Sequence, residues 1–173
     1  MTPFEVAEAL RICMAELFTN DPEPPAEVCH RPGAEAPFAI GTAQDECCSG
    51  LAWVRVATVE PVTEVLDTQD PSFNPCASGQ VRVTLELGVA RCNPFGTPER
   101  GPTCEQWTAL ALRMDTDRAV MRAAVCCTHD ALEVGPDQEI YRMRAGLYEP
   151  FPSSGNCAGG TLLVSVWLDC SEC

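Results

Sequence analysis

The chain contains no lysine; every basic residue is an arginine. Eleven arginines stand against 25 aspartates and glutamates, a formal net charge of −14. Nucleic-acid binding needs clustered cations that displace counterions from phosphate, so this balance argues against it. It argues equally against docking on an anionic membrane surface. No run of 18 apolar residues is present, which leaves no candidate for a transmembrane helix. The opening Met1-Thr2-Pro3-Phe4-Glu5 lacks the basic region of a signal peptide, and acidic residues interrupt the apolar stretch behind it. Synthesis and folding in a cytoplasm are therefore expected. Catalytic signatures are missing too: there is no G-x-S-x-G, no phosphate-binding P-loop and no G-x-G-x-x-G. Only two histidines occur, His30 and His129. The expectation is a protein that is not an enzyme, with no catalytic, cofactor-binding or metal-ligating residue to single out.

Cysteine is what the chain has in excess. There are twelve, at 13, 29, 47, 48, 76, 92, 104, 126, 127, 157, 170 and 173. Such density is usual in secreted or metal-binding chains, whereas the N-terminus points to cytosolic synthesis. A protein made in the cytosol that later works outside cells satisfies both. Structural zinc calls for four tetrahedral ligands, usually from two C-x-x-C knuckles. Here only Cys170-Ser171-Glu172-Cys173 has that spacing, and the vicinal pairs Cys47-Cys48 and Cys126-Cys127 would have to supply the rest. A thioredoxin-type motif opens a helix, but this one ends the sequence. A mixture of buried thiols and disulfides is the favoured reading. Cys13 and Cys104, on helices, are expected as core thiols. Cys29, Cys76, Cys92 and Cys157, in loops or at strand ends, are expected to staple long connections.

The length of 173 residues suits one domain spanning 1–173, with 46% apolar residues to fill a core. A helix is expected over 3–18: Thr2 and Glu5 form a capping box, Pro3 opens it, and Phe4, Ala7, Leu10, Met14, Leu17 and Phe18 make an apolar face. Residues 19–37 read as loop, long enough to suggest a partner contact, with a possible short strand at Phe38-Ala39-Ile40 beyond it. Strands are expected over 51–60 and 80–92, the second alternating Val81, Val83, Leu85, Leu87 and Val89 with more polar residues. Residues 62–79 and 93–102 read as loops rich in turn signals. A second helix is expected over 103–125, capped by Thr103 and Gln106, with Leu110, Met114, Val120, Met121 and Val125 inward. A strand over 138–148 has Gly146 as a bulge and is ended by Pro150 and Pro152; Gly159-Gly160 turns into a last strand over 161–169. Trp53, Trp107 and Trp167 are assigned to the core. The acidic segment 21–35 and Asp115-Thr116-Asp117-Arg118 are assigned to solvated surface. The resulting fold class is α+β: a single mixed or antiparallel sheet with two helices packed on one face and long loops.

Three stretches are distinctive: 46–56, Glu-Cys-Cys-Ser-Gly-Leu-Ala-Trp-Val-Arg-Val; 85–94, Leu-Glu-Leu-Gly-Val-Ala-Arg-Cys-Asn-Pro; and 155–160, Gly-Asn-Cys-Ala-Gly-Gly, leading into the last strand. Together they resemble small virion proteins of long-tailed actinobacterial phages, over residues 45–168. The resemblance implies a tail terminator, a tail-completion protein of the neck. Such a protein is a structural α+β subunit of a homo-oligomeric ring, six-membered in the family, that caps the tail tube and meets the head-side connector proteins. It implies a virion location and no cofactor. No residue roles carry over, because no active site of the family can be matched to this sequence. The alternatives are another neck protein, a head–tail stopper or adaptor, and a cysteine-rich zinc-binding or redox module.

Overall fold

The computed structural model describes residues 1–32, 50–62, 80–93, 101–133, 140–154 and 157–169. Helix α1 runs over Pro3–Thr19 and begins as the sequence dictates. The Thr2 hydroxyl accepts from the Glu5 amide, and the Glu5 carboxylate accepts from the Thr2 amide, so two otherwise orphaned N–H groups are satisfied. Its buried face is Val6, Ala7, Leu10, Cys13, Met14 and Phe18. Phe4, expected on that face, is exposed and packs against His30 with the rings tilted and their centroids 4.8 Å apart. Leu17, placed on the same face, is partly buried at the core's edge.

Strand β1, Glu27–His30, lies inside the segment that reads as loop. It pairs parallel with β2, Leu51–Pro61. Four residues between prolines leave no visible period, so only the pairing with β2 makes this a strand. β3, Gln80–Cys92, is central and antiparallel to both neighbours, β2 and β5, Cys157–Asp169. The outer strand β4, Ile140–Ser154, pairs antiparallel with β5. Strand order is β1-β2-β3-β5-β4 in one mixed sheet. The possible strand at 38–40 lies outside the described residues.

Both helices cover the same sheet face. α1 lies over β1 and β2 and packs along α2, Cys104–Glu133, which lies over β4 and β5. One apolar cluster joins them: the α1 face, Met121, Ala124 and Val125 of α2, and the inward residues of β2, β3 and β5 such as Val54, Leu85, Leu87, Leu162 and Val164. Each fully buried aliphatic side chain contributes about 1.5–3 kcal/mol. The helices are also stapled by a disulfide between Cys13 and Cys127. Cys13 is therefore a buried bridge and not the free core thiol expected from its apolar surroundings.

The opposite sheet face carries a smaller core. Trp53 is wholly buried there with Leu51 and Ala90, and stacks on Phe151 at 6.4 Å. Its ring lies flat over Gly88, where an added Cβ would fall 2.1 Å from Trp53 Cζ2. Only glycine allows that approach. The Trp53 Nε1–H donates to Glu86 Oε1 (3.2 Å), and Arg55 forks onto the same carboxylate at 2.9 and 2.5 Å. That hydrogen bonding satisfies a buried carboxylate on a central strand and raises the Arg55 pKa.

Two breakers do not break. Pro150 and Pro152 lie within β4, and Gly159-Gly160 lies within β5 instead of turning into it. β4 is an edge strand, where a proline loses no obligatory ladder bond, and register shifts bracket these residues. At Gly160 an added Cβ would meet the Tyr148 ring at 2.4 Å, so the glycine is there for a close side chain. The bulge expected near Gly146 is present, as a register shift between Ala145 and Tyr148.

Candidate interaction surface

Helix α2 is 30 residues long, about 45 Å at 1.5 Å per residue. Its cap is the expected one: the Thr103 hydroxyl accepts from the Gln106 amide, and the Gln106 side chain accepts from the Thr103 amide. It continues eight residues past the expected end at 125. Met121, Ala124, Val125 and Thr128 are buried. The same side of the helix, followed toward the N-terminus, carries Met114, Leu110 and Trp107 at spacings of seven, four and three. There the sheet no longer covers it. Leu110 and Met114 are half-buried, and Trp107, expected in the core, is 42% exposed. Leu112 on the flank is 67% exposed. Cys104, one turn before Trp107, is an exposed free thiol and not a core residue.

The boundary between the covered and uncovered halves is marked by a buried ion network. Arg91 of β3 forks onto Asp117, Nε–Oδ2 3.0 Å and Nη2–Oδ1 2.7 Å. Its third donor, Nη1, reaches the Glu23 carbonyl at 2.9 Å, and its guanidinium lies 5.9 Å over the Phe18 ring. Arg113 donates to Asp21 Oδ1 at 2.6 Å and to the same Glu23 carbonyl. Burial pushes the Asp21 carboxyl up, but hydrogen bonds from Arg113 and the Glu23 amide, with the charges of Arg113 and Arg91, outweigh it and lower its pKa. Two guanidinium and two carboxylate groups balance, as buried charges must. Asp21 and Asp117 were both assigned to solvated surface; their side chains are only 3% and 2% exposed. Asp115, by contrast, pairs with Arg118 at 2.7 Å in solvent, as the i,i+3 spacing predicts. Tyr148 lies near the network, and burial followed by the Asp117 charge raises its pKa to about 12.

At the other end of α2 is a pocket of about 390 Å³, lined by Arg122, Val125, Cys126, His129, Asp130 and Met143, with Ala123 and Ala145 between them. Cys126 is an exposed free thiol. His129 Nδ1 stands 3.8 Å from Asp130 Oδ1, beyond hydrogen-bond length, and both side chains are open to water. A thiol, an imidazole and a carboxylate thus line one hollow. The pocket is an apolar hollow with a polar rim.

The sheet edges are poor docking sites. β1 offers four residues, and β4 is interrupted by three register shifts and by Pro150. Short, bulged, proline-bearing edges resist strand addition. On the far sheet face Arg142 lies 5.7 Å over Trp167, which is half-buried and not part of either core.

The remaining sequence candidates separate. His30 contacts Glu8 Oε2 at 2.7 Å. Arg11 forks onto Glu8, and these hydrogen bonds, from Arg11 foremost, hold the Glu8 pKa down at about 2. Cys29, expected in a staple, is a free thiol on β1; Cys92 and Cys157 are each disulfide-bonded. Sulfurs committed to disulfides cannot serve as thiolate ligands. Among the described residues no three of His, Cys, Asp and Glu gather to hold a metal. Cys47-Cys48, Cys76 and the 170–173 motif lie outside the described residues. No described helix is long and apolar enough to cross a membrane. Comparison with known proteins finds no family model that matches the chain and no curated protein similar to it.

Proposed function

We propose that this chain is a structural subunit of a phage virion, a tail terminator that assembles into a ring, caps the tail tube and meets the head-side connector proteins. One observation carries the reading: the apolar stripe of α2 runs on past the fold that covers its other half, leaving Trp107, Leu110 and Met114 for something outside the described fold. A buried ion network holds that projecting half in place at Asp117, so the exposure is built and not frayed. The blunted sheet edges direct contact to helix surfaces. The sequence stretches at 46–56, 85–94 and 155–160 supply the resemblance to neck proteins. The net charge of −14 suits a lumen through which DNA must slide without being gripped.

Native mass spectrometry of the purified chain, with and without reductant, tests this. A metal-free ring, six-membered if the family pattern applies, supports it. A zinc-loaded monomer overturns it in favour of a metal module.

A further inference from the structure

We propose that the Cys13–Cys127 bridge is a redox lock added to a fold that is already complete, with Cys127 as the sulfur through which oxidation enters and Cys13 as the buried sulfur that resolves it. The proposal goes beyond the ring reading and does not depend on it. Val6, Leu10 and Met14 of α1 and Met121, Ala124 and Val125 of α2 belong to one apolar core, so the two helices have a reason to pack without a covalent tie. The Cα atoms of Cys13 and Cys127 stand 6.0 Å apart across that packing, within the usual reach of a disulfide. The bridge is an addition to the packing and not its cause.

The two sulfurs are not equivalent. Cys13 is only 5% exposed, whereas Cys127 is half-buried. Both stand near the C-terminal end of their helices, and the two ends are held differently. Beyond Cys13, α1 is pinned by the buried Met14 and Phe18 and then by Asp21 in the ion network. Beyond Cys127, as far as Leu132, Thr128 alone is fully buried. Local opening is easiest where few buried contacts must break, so it presents Cys127 and leaves Cys13 covered. In the reduced chain the Cys127 thiolate attacks one sulfur of a small disulfide such as oxidised glutathione. That S–S bond breaks, one glutathione thiolate leaves, and the other half stays on Cys127. The Cys13 thiolate then attacks Cys127 Sγ and expels the second glutathione thiolate. Two electrons pass from the cysteine pair to the glutathione disulfide, and the two thiol protons go to the departing thiolates. The chain thus folds where thiols are kept reduced and is fastened where the surroundings turn oxidising.

Each sulfur is testable alone, with the other disulfides left intact. Cys13→Ser leaves Cys127 free, and Cys127→Ser leaves Cys13 free. Both are made in a Cys126→Ser background, so that the neighbouring exposed thiol is not mistaken for Cys127. Each chain is treated with oxidised glutathione at neutral pH, quenched with acid at intervals and mapped by peptide mass spectrometry. Glutathione is expected on Cys127 at least about tenfold faster than on Cys13, because exposure governs thiol reactivity. Equal rates, or a faster Cys13, would overturn the proposal. The near-UV circular dichroism of both variants, and of Cys13→Ala combined with Cys127→Ala, is expected to match the parent chain. Loss of that signal in any of the three would make the bridge a condition of folding and overturn the lock. Neither readout depends on oligomeric state, so a chain that never forms a ring leaves this test standing.

Discussion

The two halves of α2 share one apolar stripe and meet different fates. From Met121 to Thr128 the stripe is sealed against the sheet and bonded to α1 through Cys127. From Trp107 to Met114 it faces solvent in part or in full. Periodicity is the same in both, so hydrophobic pattern alone reports that a helix has something to bury and not what buries it. The difference is made by where the sheet ends and by the ion network that pins the helix at that border.

The largest expected effect comes from breaking the border itself. Asp117→Ala would strand Arg91, whose side chain is only 10% exposed, without the carboxylate it forks onto. Uncompensated buried charge costs about 3–5 kcal/mol, readable in denaturant unfolding, and hydrogen exchange should rise first between 104 and 117. A loss under about 1 kcal/mol would show that the network does not hold the helix. The comparison sharpens most in a matched pair. Met121→Ala, in the sealed half, should cost about 2–5 kcal/mol of stability. Trp107→Ala, in the open half, should stay within about 0.5 kcal/mol. Equal losses would mean that Trp107 is packed after all.

Replacing Cys13 and Cys127 together with alanine, at a sequence separation of 114, should remove about 2–4 kcal/mol; differential scanning calorimetry would read this as a lower melting temperature. The smallest effect is the pH dependence at Glu8. Its folded pKa lies below its ordinary value of 4.5, near 2. The stabilisation is thus complete above 4.5 and is lost as pH falls toward 2. In Glu8→Gln the melting temperature should fall less steeply across that window than in the parent chain.

The sequence was most legible where a local rule was strong. Both capping boxes, the strand at 80–92 and the α+β class with helices on one face follow from capping chemistry and from periods of 3.6 and 2. It was least legible where the partner is distant in sequence. Asp21 and Arg113 are 92 residues apart, and Arg91 and Asp117 are 26 apart, so each reads as ordinary surface charge. β1 has no period of its own and exists because β2 accepts it. Cys13 looks like a core thiol because its neighbours are apolar, and only the packing of α1 on α2 brings Cys127 to it. The candidate surface was half legible: tryptophan on a capped amphipathic helix points to burial, and its exposure depends on how far the sheet reaches.

By itself the sequence determined both helices, four of the five strands and that the chain is strongly acidic, because these follow from side-chain period, caps and charge count. Only the tertiary structure decided which cysteines pair, which charges are buried and which stretch of the apolar stripe is left open. Those outcomes depend on distances between residues far apart in the chain, and local pattern does not encode them.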